Sequence, residues 1–334
     1  MRKKEEITVI DQLKKNMEDA LRLINRYDNI FICSHIQPDG DSLGSILALA
    51  MAIKKLKEKA NVNIIRVDDI PSDFLFLPGI DMIKKQDINE EVDLFIALDS
   101  SDTKRLGIGA EFLSKAKSVI CIDHHITNEN FGDINIVLSS SGSTCEIVYK
   151  FIKYMDVEID KDMASCLYTG INTDTGRFMY SNTTYETHTI VAELIETGID
   201  INSINMNIYQ NIPIERVKLF LETLSNLELY ADDKVGVVVV SQEMLYKTNA
   251  SMEDSEGIVS YVRDINTIEV ACLLKEMSEN EIKVSLRSKR FVDVAKISTK
   301  FGGGGHVRAA GCTIYGNLET AKKMVLEEIL KDFR

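Results

Sequence analysis

The sequence predicts an α/β protein: a mostly parallel sheet covered by helices in an N-terminal domain, a helical connector, and a smaller mixed α/β domain at the C-terminus. Three observations predict it. Short apolar runs alternate with helix-length segments through the first half, the pattern of parallel strands joined by crossover helices. A stretch near residue 200 lacks strand signals. Beyond it strand-like runs resume in a shorter region, and 334 residues suit two cores better than one.

The elements follow in order. Residues 29–34 (NIFICS) form a short apolar run, then a polar loop leads into the largely apolar stretch 43–56. Residues 63–67, 93–98 and 118–122 read as further strands, and 142–154, 160–172 and 185–196 as helices. Within the strand-poor stretch, 214–224 reads as an amphipathic helix. Strands are then expected at 235–241, 267–276 and 281–287, with helices near 255–263, 292–300 and 317–330. The expected divisions are an N-terminal domain at 1–197, the connector at 198–229 and a C-terminal domain at 230–334.

Bulk properties narrow the function. The chain is 45% hydrophobic and 27% charged, an ordinary globular composition. No apolar run approaches the ~18 residues that span a bilayer, and Met1–Ile7 lacks the features of a signal peptide. The expectation is a cytoplasmic protein with no membrane partner. Cysteines 33, 121, 145, 166, 272 and 312 form no C-x-x-C pair, and Cys33 and Cys121 read as small core hydrophobes. The net charge of −13, with no visible basic stripe, argues against a protein tracking long duplex nucleic acid. An anionic substrate must then be short, received by bound cations and a few placed basic residues.

The chemistry-bearing residues sit at the ends of the expected strands. His35-Ile-Gln-Pro-Asp39-Gly-Asp41 follows the first strand and opens a helix, the position where open α/β sheets bind ligands. One helix cap explains one aspartate, leaving the second and the histidine over; Gly40 between them is expected for its backbone freedom. The strand at 93–98 runs into Asp99, the strand at 118–122 into Asp123-His124-His125, and a helix leads into Asp174. Each acid alone could mark a turn; four segments delivering Asp or His are hard to explain so. The chain has five histidines, of which 35, 124 and 125 lie in these motifs, while His188 reads as an ordinary helix residue. Clustered carboxylates disfavour mutual ionisation without cations. A mixed carboxylate and imidazole set suits Mn²⁺ best, with Mg²⁺, Co²⁺ or Fe²⁺ open. Two such ions ~3.5–4 Å apart serve phosphoryl displacement.

Together, His35-x₃-Asp39-x-Asp41, Asp99, Asp123-His124-His125 and Asp174 resemble the DHH phosphoesterase superfamily, and Phe301-Gly-Gly-Gly-Gly-His306 resembles its DHH-associated substrate domain. The resemblance covers nearly the whole chain. Length and domain order are similar to the stand-alone oligoribonuclease/pAp phosphatase group, which also includes hydrolases of linear pApA. It implies that His35 and Asp39 bind one metal, that Asp41, His124 and Asp174 bind the second, and that Asp99 bridges two Mn²⁺ ions. It further implies that His125 faces the scissile phosphate and that Asp123 orients the neighbouring histidines. Four glycines stand where three are usual, a minor variation.

On the substrate side, 281–287 alternates, which sets Lys283, Ser285 and Arg287 on a non-core face. Arg287 is a solvated arginine or a phosphate grip. Gly303, Gly304 and Gly305 before His306 read as a backbone nest for an anion or as a flexible linker. The resemblance implies that His306 and Arg287 hold a terminal phosphate and nucleotide remote from the cut. Residues 139–144 read as a helix cap or a phosphate contact, and Arg105 and Arg177 lie beside the metal motifs. The resulting expectation is a two-metal phosphoesterase acting on very short oligonucleotides and on pAp. A manganese-dependent inorganic pyrophosphatase and a non-catalytic nucleotide-binding protein are the alternatives, and a homodimer stays open.

Overall fold

The computed structural model describes residues 2–333 and divides into two units, 1–211 and 212–334. The first contains α1 (Arg2–Arg26), β1 (Asn29–Cys33), α2 (Gly40–Leu56), β2 (Asn61–Ile65), β3 (Ile83–Lys84), β4 (Leu94–Leu98), α3 (Gly109–Leu113), β5 (Ser118–Asp123), β6 (Ile134–Val137), α4 (Thr144–Tyr154), α5 (Lys161–Asp174), α6 (Tyr185–Glu196) and α7 (Ile201–Tyr209). Its six strands pair in parallel in the order β3-β2-β1-β4-β5-β6. This bears out the expected parallel sheet. Both faces are covered: on β1, Ile30 and Ile32 enter one core while Phe31 and Cys33 enter another. Burial on both faces is why β4 reads Leu-Phe-Ile-Ala-Leu without alternation. Strand order reverses between β1 and β4, so the ends of these two strands flank the crevice where such sheets bind ligands.

Helices α2 and α5 approach closely because each offers a glycine. A Cβ on Gly44 would lie 2.4 Å from the Cys166 carbonyl oxygen, and one on Gly170 would lie 2.9 Å from Asp41 Oδ1. Gly44→Ala is therefore expected to destabilise the first unit by about 1–3 kcal/mol, the usual cost of overpacking. Urea unfolding checks this, and an unchanged midpoint would show that α5 shifts freely. All six cysteines are free and buried. Among the described residues, no helix is long and apolar enough to cross a membrane.

The stretch 198–229 is shared between the units, with α7 in the first and α8 (Ile214–Ser225) in the second. The second unit continues with β7 (Glu228–Tyr230), β8 (Val235–Val240), α9 (Gln242–Thr248), α10 (Ile258–Asp264), β9 (Val270–Ser278), β10 (Glu281–Ser288), α11 (Val294–Thr299), β11 (Gly304–His306), β12 (Ala309–Tyr315) and α12 (Leu318–Ile329). Its sheet runs β11-β12-β10-β9-β8-β7, parallel only between β8 and β9. This is the expected mixed α/β unit. One face packs on α11 and α12. The other packs on α8, α9 and α10 through residues of β8 and β9.

Candidate metal centre and substrate face

Strand geometry gathers the site. β1, β4 and β5 run parallel, so their ends release His35, Asp99 and the 123–125 triplet on one edge of the sheet. Asp99 turns out of β4 with φ +55, a left-handed conformation that costs energy for a non-glycine residue. Asp39 caps α2: its Oδ1 accepts the Ser42 N–H at 3.0 Å, while its Oδ2 lies 3.7 Å from His35 Nε2. The two readings of that loop, cap and ligand, thus fall on two oxygens of one carboxylate. Gly40 does not take a positive φ. What it supplies is space, since a Cβ there would sit 2.4 Å from Thr173 Oγ1.

Three groups of donor atoms result: His35, Asp39 and Asp99; Asp41, His124 and Asp174; and Asp99, His124 and His125. Asp99 joins them. Its carboxylate lies 3.4 Å from His35 Nε2 and 3.7 Å from both His124 Nε2 and His125 Nδ1. His124 Nε2 is also 4.0 Å from Asp41 and 3.5 Å from Asp174. Asp41 and Asp99 are buried, and among the described residues only imidazoles form ion pairs with them. Burial, then the nearby carboxylates, pushes Asp41 well above the usual range. Burial likewise pushes Asp174 up to about 6, with His124 pulling it back. Among the described residues, buried carboxylates paired with imidazoles and with no lysine or arginine fit divalent cations.

Hydrogen bonds fix the histidines. The Ile36 carbonyl can only accept, so His35 Nδ1–H donates to it at 2.7 Å and Nε2 is left to face the carboxylates. Burial opposes a charge on this ring, but Asp39 and Asp99 outweigh it and raise His35 to about 10; a cation entering here must displace that proton. His125 Nδ1–H donates to Asp123 Oδ1 at 2.7 Å, which leaves its Nε2 outward. Asp123 is fully buried and also accepts the His124 backbone N–H at 2.9 Å and the Asn128 side-chain amide at 2.6 Å. Burial works against its charge; the bonds from His125 and Asn128 prevail and hold it below the usual range.

Sequence reasoning missed several supports. The N–H groups of Thr144 and Cys145 donate to Asp41 at 2.7 and 2.8 Å, and the Thr144 hydroxyl donates to Asp99 at 3.0 Å. The start of α4 therefore binds the site's own carboxylates. No local signal reveals partners about 100 residues apart. Arg177 lies over the Tyr209 ring at 3.8 Å, Arg105 acts on His125 through its charge, and exposed His188 packs against Phe178.

In the second unit, Arg287 on β10 and His306 on β11 both pair with Ala309 of β12. Directly opposed residues share a face, so the two flank Ala309 about 10 Å apart, two strand spacings. His306 is exposed and Arg287 half-buried. The glycine run is an ordered turn and edge strand. Gly302 and Gly303 donate their N–H groups to Thr299 and Ser298, and Gly304–His306 pair with β12. Gly303 allows close approach to the Gly311 carbonyl, and Gly305 has φ +142. After Arg287, buried Glu269 accepts the N–H groups of Arg290, Phe291 and Val292, while Arg308 donates to the Val292 carbonyl at 2.8 Å. This clamp was not legible either.

Residues 29–171 match the model of the DHH family, N-terminal domain, and residues 232–332 match that of the DHHA1 domain. The chain is 33% identical to the bifunctional oligoribonuclease and PAP phosphatase NrnA of Thermus thermophilus, over 91% of this chain and 90% of that protein. It is 27% identical to the protein of the same name from Bacillus subtilis, over 89% and 93% respectively. The crystal structure of an exopolyphosphatase-related protein from Bacteroides fragilis superposes with a TM-score of 0.84 at 31% identity, covering 96% of each chain.

Proposed function

Because this chain belongs to the DHH family and carries a DHHA1 domain, we propose that it is a two-metal phosphoesterase hydrolysing very short oligonucleotides, such as linear pApA, to nucleoside 5′-monophosphates, and pAp to AMP and phosphate. One observation carries the reading: two donor groups, His35/Asp39 and Asp41/His124/Asp174, stand on either side of the buried Asp99 carboxylate. We assign the first group to one Mn²⁺, the second to another, and Asp99 to both. When bound, the ions supply Lewis-acid charge to the phosphate and activate water near neutral pH. Asp123 holds the His125 ring in place and keeps its Nδ1–H engaged, so Nε2 is the atom offered to a phosphoryl oxygen. Thr144 and Cys145 hold the Asp41 carboxylate against reorientation.

Arg287 and His306 are assigned to the terminal phosphate of the substrate, the guanidinium as a bidentate donor. The relatives named as oligoribonuclease and PAP phosphatase support the substrate class. A cytoplasmic setting fits it. The relatives named as oligoribonuclease and PAP phosphatase weigh against a pyrophosphatase, and a non-catalytic binder would not need all the ligand positions filled. Turnover of pApA, pGpG, a short RNA, pAp and pyrophosphate in Mn²⁺ tests the assignment. The nucleotides are expected to exceed pyrophosphate by about 100-fold or more in kcat/KM, the scale set by lost polar contacts. Preference for pyrophosphate would reject it.

A further inference from the structure

The face that carries Arg287 holds a basic pair with no assigned partner. Lys283 on β10 and Lys275 on β9 are directly opposed in register, a like-charge arrangement that destabilises a sheet. Neither is among the lysines that form salt bridges in the described residues. Burial lowers Lys275, Glu256 partly offsets this, and Lys283 adds to the lowering. In a chain of net charge −13, such a pair is not a consequence of general basicity. It escaped notice as a stripe because the two lysines lie on different strands.

Placement supplies the rest. Ile282, Val284 and Leu286 are buried in the core, so Lys283, Ser285 and Arg287 project together from the other face. Four residues of strand separate Lys283 from Arg287 by about 13 Å, more than one nucleotide repeat. The row between them is Ser285, Gly311 and Gly304, low because glycines have no side chain. Beside it lies a hollow lined by Lys283, Ser285, Gly303, Gly311, Thr313 and Tyr315.

We propose that Lys275 and Lys283 form a second phosphate subsite: in oligonucleotides longer than two residues an internal phosphate takes the Arg287–His306 position that receives the terminal phosphate of a dinucleotide, and the chain runs on to place a further phosphate at the two lysines. The subsite rests on the oligonucleotide reading above. It makes the second unit a length-sensing track as well as an end clamp. A dinucleotide is too short to reach both ends.

The test compares full-length wild type with the double variant Lys275→Gln, Lys283→Gln, using pApA and a five-residue oligoadenylate in Mn²⁺. The expected result is a KM for the pentamer raised at least about fivefold, with KM for pApA within twofold. The dependence of pentamer binding on salt should become shallower by about 1 in log–log slope. The melting temperature should be equal or higher, because repulsion has been relieved. A lower melting temperature would assign the lysines to the fold and overturn the proposal. An unchanged pentamer KM, or equal losses on both substrates, would also overturn it. If wild type hydrolyses neither substrate, the functional reading fails by itself. Fluorescence anisotropy of a labelled pentamer then decides the subsite: weakened binding by the double variant supports it, and unchanged binding removes it.

Discussion

Asp99→Ala should lower kcat for pApA by more than ~100-fold, beyond the 10–100-fold typical of groups that only orient a ligand. The expectation comes from contact. The Asp99 carboxylate lies within 3.7 Å of His35, His124 and His125 and accepts the Thr144 hydroxyl. Its removal disturbs both donor groups at once, whereas loss of Asp39 would disturb one. Alanine at φ +55 adds backbone strain, so Asp99→Asn serves as the companion variant, keeping the shape and removing the charge. Both should lose activity while retaining a cooperative melting transition. A wild-type rate in a folded Asp99→Ala protein would mean the chemistry occurs elsewhere.

The second large effect falls on KM. Arg287→Ala and His306→Ala each remove a charged or polar donor from the row flanking Ala309. Loss of a charge-assisted hydrogen bond costs ~2–3 kcal/mol, or about 30- to 150-fold in KM for pApA. Some loss of kcat should accompany it, because remote binding energy also serves orientation. Bis-p-nitrophenyl phosphate has no terminal phosphate. Its hydrolysis should fall in Asp99→Ala and His124→Ala and hardly change in Arg287→Ala or His306→Ala. Steady-state kinetics of both substrates across the same four variants separates the roles. Equal losses on both substrates would place the second unit's residues in the chemistry or the fold.

Much of this was legible in the sequence because the parallel sheet makes its own signal. Strands buried on both faces are continuous apolar runs, and a residue just past such a run lies at the ligand-binding edge. His35, Asp99 and the 123–125 triplet were picked out as candidates by that rule, and the donor groups bring His35, Asp99, His124 and His125 together, with Asp123 bonded to His125. Strands β3, β6, β7 and β11 were missed because two to four residues cannot establish a period, and β12 because its Ala-Ala-Gly start is poor in strand-forming residues. Also hidden were the supports that depend on tertiary closure: Thr144 and Cys145 on Asp41, and Glu269 beneath the loop after Arg287. Gly40 was read through backbone freedom, and the glycine run as an anion nest or a flexible linker. At Gly40 and Gly303 the structure shows steric room instead.

The central claim is that the carboxylate and imidazole cluster works only when it holds divalent ions. The direct measurement is the initial rate of pApA hydrolysis by protein stripped with excess EDTA, dialysed and then titrated with Mn²⁺, Mg²⁺ or Ca²⁺. The account predicts no turnover in EDTA and recovery that is strongest with Mn²⁺, saturating after two equivalents bind. Full activity in excess EDTA would contradict it.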